Sequence, residues 1–299
     1  MTRDVRRSTL IGATAILMFS GLGLLSVASG PVPPFQMVAM AFTIAFLIGL
    51  ILPALRGRSL LRALRQPPRV WALGIYGLFG YHFAYFTAVQ NAPPVDANLI
   101  NYLWPLLIVV FSALLPGERL RWFHLAGALL GLAGSATLIL GAERGAAGGS
   151  ALGYGAAVAA ALLWSSYSVM SRKVGQVPTD AVGGFCGATA VLAAACHFAL
   201  EATVVPDALG WLGILGMGLG PVGLAFFTWD HGVKHGDIQV LGAMAYATPL
   251  LSTVWMIVAG YGEATPRIGA ACALIVGGAC LATRDFWYRP RRRTPDAAA

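Results

Sequence analysis

Apolar runs of about 20 residues recur along the whole chain, separated by short polar or charged stretches. Coiled into a helix at 1.5 Å per residue, each run is long enough to cross a hydrocarbon layer of about 30 Å. Ten such runs lie near 9–28, 34–55, 70–91, 95–115, 121–141, 151–172, 180–200, 209–230, 237–259 and 265–285. They predict an all-α polytopic membrane protein with ten transmembrane helices. Backbone polar groups find no water in lipid, so a helix satisfying its own hydrogen bonds is the expected form of each run. No stretch reads as a soluble domain.

A second pattern lies over the first. Tyr85-Phe86-Thr87, Asp96-Ala97-Asn98, Tyr102-Leu103-Trp104-Pro105-Leu106-Leu107 and Gly117-Glu118 return in order. Their echoes are Phe226-Phe227-Thr228, Asp237-Ile238-Gln239, Tyr246-Ala247-Thr248-Pro249-Leu250-Leu251 and Gly262-Glu263, at offsets of 141, 144 and 145 residues. The chain therefore divides into a five-helix repeat at 1–145, a second at 146–288 and a basic tail at 289–299. Duplicated membrane units are a common plan of secondary transporters, which bind substrate between the copies.

Composition narrows the class. The chain is 58% hydrophobic and 11% charged, too few charges to cover a soluble core. With an amino end in the cytoplasm, 18 of the 20 Lys and Arg fall on that side, leaving Arg144 and Arg267 opposite. Positive residues stay cytoplasmic, so both ends are expected there. The net charge of +8 then reflects topology, and no nucleic-acid partner is implied. Five spans per copy is an odd number, so the second copy enters from the other side. The loop at 56–69 carries five Arg, whereas 201–208 carries only Glu201 and Asp207. The copies are expected to be inverted about an axis in the membrane plane, the arrangement that suits alternating access.

Residues 3–29 could pass for a secretory signal, but the apolar run is long for one and membrane sequence follows, so it reads as an uncleaved first helix. Cys186, Cys196, Cys272 and Cys280 lie in apolar runs without metal spacing and read as packing residues. Gly127-x-x-x-Gly131 and Gly216-x-x-x-Gly220 allow close helix approach, for packing or as a sliding surface. No phosphate-binding Gly-rich loop, zinc motif or nucleophile elbow is present, and neither enzyme activity, a cofactor, a metal nor an obligate protein partner is expected. The expected partners are the lipid bilayer and a small-molecule substrate.

Polar residues inside apolar runs carry the candidate chemistry. Asn98, Asn101, Tyr102 and Pro105 fall at i, i+3, i+4 and i+7 on one helix face. Pro105 withholds a backbone hydrogen bond, freeing a carbonyl near Asn101 and kinking the helix. Tyr246 and Pro249 repeat the arrangement, either as structural kinks or as walls of a substrate cavity. Tyr81, His82 and Tyr85 form a second group; His82 could bind a carboxylate, carry a proton or simply be buried and neutral. Trp104, Trp164, Tyr167, Phe19 and Phe227 sit near mid-span, whereas Trp71, Trp122, Trp211 and Trp287 sit at span ends, where aromatic belts are ordinary. The mid-span rings would suit an amphipathic aromatic substrate. Asp96 and Asp237 are expected to cap helices, Glu118 and Glu263 to cap or anchor them, and Asp230 with His231 to stand at an inner gate.

The chain resembles the EamA-type drug/metabolite transporter superfamily over residues 8–286, through its ten spans, inverted halves, Trp164 and the paired Gly-Glu. Tyr81-His82-Phe83-Ala84-Tyr85 and Asn98-x-x-Asn101-Tyr102-x-Trp104-Pro105 resemble the YddG-type aromatic amino acid exporters within it. The resemblance implies an inner-membrane exporter with a central cavity lined by Tyr81, His82, Tyr85, Asn101, Tyr102, Trp104, Trp164 and Tyr246. A carrier of another amino acid or of a cationic compound is the alternative.

Overall fold

The computed structural model describes residues 3–58, 63–140, 150–261 and 263–284, and among these every regular element is helical. The first part contains α1 (Arg3–Ser20), α2 (Leu22–Ala28), α3 (Pro34–Leu55), α4 (Pro68–Ile75), α5 (Tyr81–Asn91), α6 (Pro94–Asn101), α7 (Trp104–Ser112) and α8 (Trp122–Ile139). The second contains α9 (Ala151–Lys173), α10 (Ala181–Leu200), α11 (Ala208–Leu219), α12 (Ala225–His235), α13 (Ile238–Met244), α14 (Ala247–Val258) and α15 (Pro266–Ala282). Among the described residues seven helical stretches are long and apolar enough to cross a membrane: Arg3–Ala28, Pro34–Leu55, Trp122–Ile139, Ala151–Lys173, Ala181–Leu200, Ala208–His235 and Ile238–Val258. Asp96–Ser112 and Pro266–Ala282 are apolar but shorter. The 145/146 boundary, the tail at 289–299, and Gly262, Arg144 and Trp287 lie outside the described residues.

Local chemistry sets the helix ends. Pro34, Pro68, Pro94, Pro105 and Pro266 stand in the first turns of their helices, where no backbone N–H is needed. Ser150, Asp207 and Asp237 each accept a hydrogen bond from the backbone of the following turn. The turns before α8 and α15 both pass through a glycine in the left-handed region, Gly117 (φ 82°) and Gly260 (φ 81°).

Two irregularities occur in both parts. A π-helical turn joins α4 to α5 at Tyr76–Gly80, and another joins α11 to α12 at Gly220–Leu224, 144 residues on. A break at Tyr102-Leu103 separates α6 from α7, and one at Ala245-Tyr246 separates α13 from α14. Pro105 and Pro249 each lie within a turn after a break, so the proline kink expected from sequence is a full interruption of the helix. The spacing corrects the offset of 141 read from Tyr85-Phe86-Thr87. From the π turns onward the helices match at about 144 residues, which pairs Tyr85 with Trp229 and His82 with Phe226.

Helices pack in antiparallel pairs: α1 on α12, α3 on α10, α5 on α9 and α8 on α15. Small residues at the crossings bring backbones together. A Cβ on Gly49 would lie 2.4 Å from Gly183 Cα, and one on Gly127 2.5 Å from the Gly278 carbonyl oxygen. At one end of the α3/α10 pair Glu201 accepts from the backbone N–H of Phe35 (2.9 Å) and Gln36 (3.0 Å). Gln36 exchanges hydrogen bonds with the Val204 backbone, and His197 bridges Glu201 and Thr203 at 2.9 Å each. At the other end the pair is joined by an exposed Arg58–Asp180 contact at 3.5 Å. The buried core runs through these crossings and continues into a second cluster around Tyr246, Val109 and Ile275.

Candidate functional site

Six rings from five helices converge on Trp164 of α9. Its centroid lies 5.5 Å from Tyr81 and Tyr167, 5.6 Å from Phe226, 6.2 Å from Phe19 and Trp229, and 6.5 Å from Trp104. Trp104 and Trp229 meet edge to face at 5.8 Å, and Phe42 stacks on Phe226 at 5.5 Å. Such offset and T-shaped pairs add to plain burial. The π turn at Tyr76–Gly80 resets the helix phase just before Tyr81, and Gly77 within it makes room for Tyr167: a Cβ there would lie 2.1 Å from that ring. Tyr81 and Tyr85, one helical turn apart, then stack at 6.0 Å with their planes 16° apart.

Polar groups border the rings on the α5/α6 side. The Tyr85 hydroxyl donates to Asn98 Oδ1 at 2.8 Å, and Asn101 Nδ2 donates to the Tyr81 hydroxyl at 3.3 Å. Tyr102, at the break, lies within electrostatic reach of Tyr81 and Tyr85. Tyr81, Tyr85, Asn98 and Tyr102 are half-buried, whereas Trp104, Trp164, Tyr167 and Trp229 are buried. His82 is buried among Phe42, Tyr81 and Phe226 rings, and its Nδ1 donates to the Leu78 carbonyl at 2.7 Å. That bond assigns the Nδ1 proton to its own helix.

Three sequence expectations change. Phe227 does not join the ring cluster; it lies against Gly49 of α3, and its neighbour Phe226 takes the place. Phe227 had been singled out by its place near mid-span, a criterion that does not say which face of the helix a ring occupies. Tyr246 is fully buried in the second core cluster, its ring against Gly131 and its hydroxyl accepting from the Leu106 N–H at 3.2 Å. It braces the α6/α7 break from the opposite helix. Asp96 is not a cap: Pro93 holds that position and the carboxylate accepts from the Tyr154 hydroxyl at 3.2 Å. Asp237 does cap, accepting from Gln239 and Val240 N–H at 3.1 Å.

Sequence reasoning missed Phe226, Trp229 and Phe42. A constant offset of 144 would have flagged Trp229 as the partner of Tyr85; its indole N–H donates to Ser168 at 3.1 Å. Below the rings, α9 and α12 end in a charged net. Arg172 pairs with Glu118 at 2.6 Å and donates to the Val233 and Gly236 carbonyls. Glu118 is thus an anchor between helices. Asp230, midway along α12, pairs with Lys234 in its last turn at 2.8 Å and accepts from Thr179, in the turn before α10, at 2.7 Å. Trp122, the expected belt residue, is 65% exposed. Among the described residues no three His, Cys, Asp or Glu gather to hold a metal, and the four cysteines are free.

An aromatic cluster inside a bundle of apolar helices, flanked by interrupted helices, is the setting in which relatives become informative. A curated protein named aromatic amino acid exporter YddG, from Ancylobacter novellus, is 53% identical over 279 residues, covering 92% of this chain and 96% of the relative. The Escherichia coli protein of the same name is 26% identical over 98% of this chain and all of its own. A crystal structure at 52% identity superposes with a TM-score of 0.89, covering 93% of this chain and 98% of the other. The model of the EamA-like transporter family matches twice, at residues 7–140 and 151–284, again 144 residues apart. The protein is therefore a multi-pass membrane protein that belongs to the EamA-like transporter family.

Proposed function

We propose that the chain exports aromatic amino acids across the inner membrane, binding them at the ring cluster around Trp164. The observation that carries this is the 53% identity, along nearly the whole chain, to a protein named as such an exporter. The cluster supports it independently, since stacked and edge-on rings with hydroxyl and amide handles suit an amphipathic aromatic ligand. Ten spanning helices in two inverted halves complete the reading. Its support is the recurrence of π turns, breaks and family matches at 144 residues, together with the charge bias, which directs both termini to the cytoplasm. Substrate would reach the cluster alternately from either face as the halves rock about it. Tyr81, His82, Tyr85, Asn98, Asn101, Tyr102, Trp104 and Trp164 form the proposed site, with Trp229 and Phe226 added to it.

Purified protein in liposomes should move labelled phenylalanine and tryptophan without ATP, and cells overproducing it should tolerate toxic analogues of both. Transport confined to other amino acids or to cationic compounds would replace the aromatic reading with the broader carrier. For topology, single cysteines at Arg56 and Ala264 in a cysteine-free background should differ: an impermeant thiol reagent on intact cells labels Ala264→Cys and spares Arg56→Cys. Labelling of both would sink the proposed orientation.

A further inference from the structure

We propose that Asn101 and Tyr81 form a matched pair that reads the zwitterion: Asn101 Oδ1 accepts from the substrate ammonium while the Tyr81 hydroxyl donates to its carboxylate. The proposal rests on the exporter reading and restricts it to α-amino acids, against aromatic acids or amines alone.

The argument starts from an orphan. Asn101 is 5% exposed, yet its Oδ1 has no hydrogen-bond partner among the described residues. A buried acceptor left empty is costly, and such groups in folded proteins are nearly always satisfied. Three other side-chain atoms share that condition, in Ser135, Gln239 and Thr248. Asn101 alone among the four has its own amide nitrogen bonded to a ring of the cluster, Tyr81 at 3.3 Å.

That bond decides the polarity of the pair. The Tyr81 oxygen accepts from Asn101 Nδ2, so the hydroxyl proton points elsewhere and remains available as a donor. Donor and acceptor therefore stand side by side at the edge of the ring cluster, with Trp164 5.5 Å from Tyr81. The neighbouring pair is already closed on itself, because the Tyr85 hydroxyl donates to Asn98. Asn101 also ends α6 at the break, where the helix has stopped consuming its carbonyls. A ligand carrying one cation, one anion and an aromatic ring would satisfy all three features at once. No formal charge is needed in the site, which leaves the complex neutral in the membrane.

The test uses proteoliposomes of the full chain. The readouts are the half-saturation concentration for phenylalanine and its inhibition by phenethylamine, which lacks the carboxylate, and 3-phenylpropionate, which lacks the ammonium. Asn101→Leu should raise the phenylalanine value roughly tenfold and weaken phenethylamine similarly, leaving 3-phenylpropionate unchanged. Asn101→Asp should strengthen phenethylamine and weaken 3-phenylpropionate. Tyr81→Phe should weaken 3-phenylpropionate and spare phenethylamine. Equal loss of both inhibitors in Asn101→Leu, or no change, overturns the pair. Loss of 3-phenylpropionate alone would mean that the amide nitrogen faces the ligand, and overturns it too. If Asn101→Leu does not fold, the crossed pattern in Asn101→Asp and Tyr81→Phe decides, and its absence counts against the proposal. Wild-type protein that moves no phenylalanine defeats the exporter reading and this pair together; wild-type transport without the crossed pattern defeats the pair alone.

Discussion

The two helix breaks carry one sequence motif, Tyr-x-x-Pro, and hold it in opposite environments. At Tyr102-Leu103 the tyrosine is only partly buried, and a buried asparagine with an empty acceptor, bonded to Tyr81, precedes it. At Ala245-Tyr246 the tyrosine is sealed in core, packed on Gly131 and tied to the backbone of the first break. The chain holds two such interruptions. Only the first is free to face a ligand, because the second is used to hold it open. What separates them is the residue across the interface: a glycine at 131 lets the Tyr246 ring in.

The largest effect should come from removing the brace. Tyr246→Ala empties a fully buried ring site and leaves the Leu106 N–H without its partner, costing about 3–5 kcal/mol. It should unfold in detergent at clearly lower temperature than wild type, whereas Tyr246→Phe, losing only the hydroxyl, should cost about 1 kcal/mol. If Tyr246→Ala melts like wild type yet loses transport, the breaks are equivalent after all.

Filling the niche attacks the same contrast from the other side. A Cβ on Gly131 would lie 2.6 Å from the Tyr246 ring, so Gly131→Ala should destabilise by about 1–3 kcal/mol. Gly277→Ala meets nothing within 4 Å on the same bundle and should be near neutral. Comparable melting of the two would show that the close approach at 131 is not needed.

At the first break the expected loss is in affinity. Tyr102→Ala should raise the half-saturation concentration for phenylalanine several-fold while the melting curve moves less than for a fully buried ring, since Tyr102 is only partly buried. Trp104→Ala should lower both affinity and stability, because Trp104 is buried between Trp164 and Trp229. A stability loss for Tyr102→Ala as large as that for Trp104→Ala would erase the distinction between wall and core.

The smallest predicted difference lies in the acids that precede the breaks. Asp237→Ala removes a cap worth about 1 kcal/mol. Asp96→Ala removes one hydroxyl contact at 3.2 Å and should cost less. Denaturation of the two variants side by side checks the order. Trp122→Ala, at an exposed surface, should leave phenylalanine transport unchanged.

Helix positions were legible because lipid forces them into the composition: the run at 34–55 became Pro34–Leu55, and that at 151–172 became Ala151–Lys173. The breaks were legible because proline announces itself. The π turns were not, since an extra residue in a helical turn leaves no mark in a segment such as Tyr76-Gly77-Leu78-Phe79-Gly80. The misjudged register has a separate, local cause. In a helix rich in aromatics, Phe226-Phe227-Thr228 imitates Tyr85-Phe86-Thr87 three residues out of phase. Most of the proposed site was legible residue by residue, because polar side chains stand out in apolar runs. Trp229 was overlooked because it falls at the end of the run expected at 209–230, and the burial of Tyr246 was not legible, because it depends on a glycine more than a hundred residues away.

The clasp at Glu201 has a consequence for how the chain is made. α3 opens on Pro33-Pro34 and has no side chain of its own to cover Phe35 and Gln36 N–H. Their acceptor is translated about 165 residues later. During synthesis the first half must wait in the membrane with a raw helix start, and it is completed only when the second half arrives. A contact that closes one end of the α3/α10 pair thus also sets an order on assembly.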